Sequence, residues 1–84
     1  MEELNLFYET RDLYEAAAIH SLGYPVIGVK RDKEGMCHFM FDSKSVCEKV
    51  VHDFRNRQLM VNAKALIESI KTIKDFIYSG EGRK

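Results

Sequence analysis

A two-layer α+β fold is predicted by three features of the sequence. The stretch from Pro25 to Asp42 reads as two strands and a tight turn. Val26, Ile27 and Val29 mark the first strand, and Cys37, Phe39 and Phe41 alternate along the second. Between them lies Asp32-Lys33-Glu34-Gly35. Aspartate suits the first position of a type I turn, and glycine can take the left-handed conformation that closes the hairpin. The sequence on either side carries apolar residues at helical spacing.

The chain begins with a short strand, Leu4 to Tyr8, with Leu4, Leu6 and Tyr8 on one face and Phe7 on the other. Thr10 or Asp12 then caps a helix, and Asp12 with Glu15 three residues on resembles a capping box. This helix runs to about Leu22. Leu13, Ala16, Ala17 and His20 share one face, and the small alanines allow close approach to a sheet. Gly23 suits a left-handed helix stop, with Tyr24 folding back on Ile19. Pro25 opens the next strand at an edge, where its missing N–H does least harm. Gly28, alone within that strand, signals a bulge or a close backbone approach.

Beyond the hairpin, Ser43 or Ser45 caps a second helix that ends near Asn56. Val46, Cys47, Val50, Val51 and Phe54 form its apolar stripe. Leu59-Met60-Val61 reads as a brief fourth strand at a sheet edge. Asn62 caps the longest helix, which runs to about Ser79 with Ala63, Leu66, Ile67, Ile70, Ile73 and Ile77 as its stripe. The order is therefore β-α-β-β-α-β-α. Its first six elements match the split βαβ, or ferredoxin-like, sandwich, with an added C-terminal helix. That fold would put the first and third strands in the centre. Residues 1–79 would form a single domain, and 80–84 a disordered tail.

Several of these positions together resemble a family of small uncharacterised bacterial and archaeal α+β domains. The resemblance rests on Phe7, Tyr8, Thr10, Asp12, Leu13 and Tyr14; on Ala16 and Ala17; on Gly28, Val29 and Arg31; and on Ile77, Tyr78 and Ser79. It implies one compact unit over nearly the whole chain. It implies no activity, because the family is a domain of unknown function.

Composition narrows the functional classes. The chain has 84 residues, of which 45% are hydrophobic and 31% charged, with no net charge. This is ordinary globular material, without the basic excess of an obligate nucleic-acid binder. The first 24 residues hold five acids against one base, a balance of −4, so the rest carries +4. No apolar run is long enough to span a membrane. The acidic start MEELNLFYE does not resemble an export signal, so a cytoplasmic location is expected, with both cysteines reduced.

No pattern of catalysis, cofactor or metal binding emerges. Cys47 and His52 are five residues apart on a helix, roughly 140° around it, and Cys37 and His38 point to opposite faces of a strand. Cys37 and Cys47 read as buried, unbonded core residues. Glycine-rich phosphate loops are absent.

Two binding classes remain. An RNA-recognition fold shares the βαββαβ order and stacks bases on aromatics of its first and third strands. Phe7, Tyr8, Phe39 and Phe41 are the aromatics here, and Lys30, Arg31, Lys33, Arg55 and Arg57 are the candidate nucleic-acid contacts. The leading expectation is instead a protein-interaction module, a homodimer in its simplest form. The third strand carries Met36, His38 and Met40 on the side away from Cys37, Phe39 and Phe41. A two-layer fold leaves one sheet face without helices, and methionines suit adaptable contacts.

Overall fold

The computed structural model describes residues 6–82, with side chains described through residue 78. Its elements are β1 (Tyr8–Thr10), α1 (Leu13–Ser21), β2 (Val26–Arg31), β3 (Cys37–Phe41), α2 (Lys44–Arg55) and α3 (Ala63–Gly82). The strands form one antiparallel sheet in the order β1-β3-β2. β1 and β2 both run antiparallel to β3, so they are parallel to each other on its two sides.

The hairpin forms as its turn chemistry dictates. Gly35 N donates to Asp32 O at 3.0 Å, and Gly35 has φ +87°. The Asp32 carboxylate holds the turn from within: its Oδ1 accepts from Glu34 N at 2.9 Å and Met36 N at 3.0 Å. This side-chain mimicry of a backbone acceptor is what favours aspartate at turn starts.

A β-bulge decides which β2 side chains face which way. Val26 pairs with Phe41 and Gly28 with Met40, so Ile27 is an extra residue. Paired residues share a face. Without the bulge, Val29 would lie opposite His38 and Lys30 opposite Cys37. With it, Val29 pairs with Phe39 toward the helices, and Lys30 pairs with His38 on the other face. Met40 lies over Gly28, with its Sδ 3.7 Å from where a Cβ would stand.

All three helices pack on one face of this sheet. Cys37, Phe39 and Phe41 meet Ala16, Ala17 and Ile19 of α1, Cys47, Val50 and Val51 of α2, and Ile73 of α3 in a single core. Both cysteines are free and buried. Phe76 reaches the core edge-on to Phe39, with ring centroids 6.5 Å apart. Helix α1 packs against both α2 and α3. Its alanines permit the close approach, and His20 Nδ1 meets the buried hydroxyl of Ser69 on α3 at 2.7 Å. Arg31 donates to the carbonyls of Gly35 and Ile77, tying the hairpin to α3.

Several boundaries differ from the sequence reading. The first strand is Tyr8–Thr10, with Leu6 and Phe7 exposed before it. Leu4, also assigned to that strand, lies outside the described residues. Asp12 caps α1, accepting from Tyr14 N and Glu15 N, but Glu15 does not complete a capping box. Thr10 Oγ1 instead accepts from Asp12 N, which leaves Glu15 for another partner. Ser43 precedes α2 in a left-handed conformation with no side-chain cap. Helix α3 extends to Gly82, past the expected end at Ser79.

The largest difference is the fourth strand. Leu59-Met60-Val61 forms none, so β1 lies at an edge of the sheet and not in its centre. The end of α2 explains it. Arg57 takes φ +63°, and Gln58 N returns to Asp53 O at 2.8 Å, closing the last turn in a Schellman-type end. The chain then passes directly to Asn62, whose Oδ1 caps α3 through Ala65 N. Leu59 packs on the core on the way, and Met60 is left 87% exposed.

Candidate functional site

The sheet face opposite the helices carries the most organised polar chemistry of the described residues. By strand alternation it presents Glu9 of β1, Gly28 and Lys30 of β2, Asp32 and Met36 of the hairpin end, and His38 and Met40 of β3. His38 sits between two carboxylates. Its Nδ1 is 2.7 Å from Glu9 Oε2, and its Nε2 is 2.9 Å from Asp32 Oδ2. Lys30 Nζ reaches across to Glu9 Oε1 at 3.4 Å.

This geometry sets a protonation state. A neutral imidazole has one N–H, so one of its two short contacts would place lone pair against lone pair. Both contacts are satisfied only when both ring nitrogens carry protons. The hydrogen bond to Asp32, with Glu9 assisting, accordingly holds the His38 pKa above its ordinary value. The same bond, with the backbone N–H groups of the turn, holds Asp32 below the usual carboxylate range. Asp32 thus uses one oxygen to build the turn and the other to grip the ring.

The two carboxylates of the clamp approach opposite edges of one ring and do not converge on a common point. Among the described residues, no three His, Cys, Asp or Glu side chains group as metal ligands.

A second polar cluster lies in the helical layer. Glu15 is only 5% exposed. It accepts from Thr10 Oγ1 at 3.1 Å, and its Oε2 meets Arg55 Nε at 2.7 Å and Nη2 at 2.6 Å. This pairing joins α1 to α2 and answers the charge of a buried carboxylate. Burial first, and Glu15 second, push the nearby Tyr8 hydroxyl pKa up. Tyr8, Glu48, Val51, His52, Arg55 and Asn56 line an open pocket of about 320 Å³ beside α2. Its lining mixes both charge signs, and its guanidinium is already committed to Glu15.

The residues singled out from the sequence fall in different places. Met36, His38 and Met40 do share the helix-free face. Of the candidate nucleic-acid contacts, Lys30 is on that face and Lys33 is exposed in the turn. Arg31 points to the helical side, Arg55 binds Glu15, and Arg57 forms the corner after α2. Phe39 and Phe41, considered for base stacking, lie in the core. Glu9, Asp32 and Glu15 were not anticipated as partners of His38 or Arg55. For Glu9 and Asp32 the signal was strand alternation, which becomes readable only once the register is known.

A family model described as a domain of unknown function, DUF5659, matches residues 5–79. The chain belongs to this family. Its membership agrees with the resemblance read from the Phe7–Tyr14 and Ile77–Ser79 segments. No curated protein and no solved structure matches this DUF5659 chain.

Proposed function

We propose that this domain is a non-catalytic, cytoplasmic binding module that self-associates through its helix-free sheet face. The β1-β3-β2 sheet is then read as a ferredoxin-like sandwich without its fourth strand, with α3 added to the helical layer. One observation carries the reading: the open face is both partly apolar and self-complementary in charge. Met36 and Met40 flank His38 along β3. Glu9 lies on one side of β3 and Lys30 on the other. A two-fold axis along β3 would set β1 of one copy over β2 of the next, so that the Glu9–Lys30 pair of each copy faces the reversed pair of the other. An isologous dimer requires that kind of self-match.

The size of the face sets the expected strength. Three strands at ~4.8 Å spacing and a five-residue β3 give a footprint on the order of a few hundred Å² per copy, below the ~800 Å² of a standard interface. Weak association, seen only toward high micromolar concentration, is expected. Sedimentation over a concentration series tests it. A parent that stays monomeric at high micromolar concentration overturns the reading, and Met40→Lys should weaken a dimer that does form. No observation favours nucleic acid over a second copy, and no described helix is long and apolar enough to cross a membrane.

A further inference from the structure

We propose that the proton on His38 controls this self-association: the open face docks on a second copy while the imidazolium is held between Glu9 and Asp32, and it releases that copy when the ring becomes neutral. The inference rests on the self-association reading above and adds its regulation.

The argument begins with the charges around the ring. Glu9 comes from β1, Lys30 from β2 and Asp32 from the turn, and no helix contributes because all helices pack on the opposite side. With His38 protonated, two carboxylates face two cations and the cluster is neutral. Loss of the ring proton leaves a net charge of −1. In an isologous dimer both copies change together, so two neutral faces become two like-charged ones. Like charges facing across an interface oppose association.

Geometry changes in the same direction. The two short contacts require two N–H groups, so a neutral ring keeps one carboxylate and loses the other. If Asp32 is lost, the Oδ2 that gripped the ring is freed at the hairpin end. If Glu9 is lost, it keeps its contact with Lys30 across the sheet. Either outcome loosens side chains that lie between Met36 and Met40. The raised pKa of His38 places this change on the alkaline side of an ordinary histidine.

The contact area is small, so one charge per copy has leverage. The dimer constant should weaken on the order of tenfold between about pH 6 and about pH 8.5. Sedimentation equilibrium of the parent, His38→Gln and Glu9→Gln at both pH values tests this, with circular dichroism confirming that each variant is folded. His38→Gln should associate equally at both pH values. Glu9→Gln should reverse the parent's trend, because its cluster is +1 with the ring protonated and neutral without. A parent dimer indifferent to pH, a His38→Gln dimer that keeps the parent's pH dependence, or a Glu9→Gln dimer that keeps its direction overturns the switch and leaves self-association standing. A parent monomeric at both pH values removes self-association itself.

Discussion

Phe39 and His38 are neighbours on β3 and face opposite surroundings. Phe39 is 1% exposed, packed under three helices and edge-on to Phe76. His38 has polar partners from two neighbouring segments of the sheet and no helix above it. The core face gains stability from non-directional burial, which tolerates substitution only when volume is kept. The open face is organised by directional, charge-assisted bonds that respond to solution conditions. One strand thus carries two kinds of interaction, apolar burial on one side and a polar, hydrogen-bonded cluster on the other.

The largest test of this contrast compares Phe39→Ala with Met40→Ala. The first removes a fully buried ring and should cost about 3–5 kcal/mol, a large share of the stability of so small a domain. The second should cost under about 1 kcal/mol at concentrations where the protein is monomeric. Denaturant unfolding measures both. A Met40→Ala loss comparable to that of Phe39→Ala would mean the open face is covered within the monomer.

The helical layer has its own polar exception, and it should behave asymmetrically. Arg55→Ala leaves Glu15 buried with only Thr10 as a donor, whereas Glu15→Ala leaves Arg55 at the surface in water. Arg55→Ala should therefore lower the melting temperature more than Glu15→Ala. Equal losses would show that Glu15 reaches water in solution.

A change remote from both faces separates stability from association. Arg57 holds a left-handed conformation that costs a non-glycine residue about 1–2 kcal/mol, offset in part by glycine's greater freedom when unfolded. Arg57→Gly should raise stability by roughly 0.5–1 kcal/mol and leave the sedimentation behaviour unchanged. A shift in association would tie the α2–α3 corner to the interface.

The smallest effect is the pH dependence of monomer stability. His38 has a raised pKa, so its contribution is complete below about pH 6.5, the unfolded value, and is lost as pH rises through the folded one. Asp32 has a lowered pKa, so its contribution is present above the ordinary aspartate value of 3.8 and is lost as pH falls through the folded one. The clamp is complete between those two limits. Denaturation midpoints should decline from mildly acidic to mildly alkaline pH, and less so in His38→Gln. Identical profiles would show that the clamp is open in solution.

Much of the fold was legible where the chemistry is local. Asp12 and Asn62 as caps, Gly23 as a stop, and Asp32 with Gly35 in the turn each act within five residues. The apolar stripe of α2 likewise marks its buried side through Cys47, Val50 and Val51, whereas α1 is buried beyond its expected stripe, at Glu15, Ala18 and Ile19 as well as Ala16 and Ala17. What stayed hidden depends on partners far apart in sequence. His20 and Ser69 are 49 residues apart, and Glu15 and Arg55 are 40 apart. The absent fourth strand was a local signal that lost to tertiary context. Leu-Met-Val favours a strand, but a left-handed Arg57 and the capped start of α3 leave it no room to pair. The open face needed the bulge at Ile27, because a one-residue slip in β2 would exchange Val29 and Lys30 between faces.

The edges of the sheet bear on how far any assembly can grow. β1 offers only three residues to a passing strand, and β2 is preceded by Pro25, bent by the Ile27 bulge and finished by Lys30 and Arg31. Short length, proline, a bulge and positive charge each discourage another chain from adding at an edge. Growth by strand addition would be open-ended, since every added copy exposes a fresh edge. The proposed face-to-face pairing would instead consume the surface it uses, so such an assembly would be finite and close at two copies.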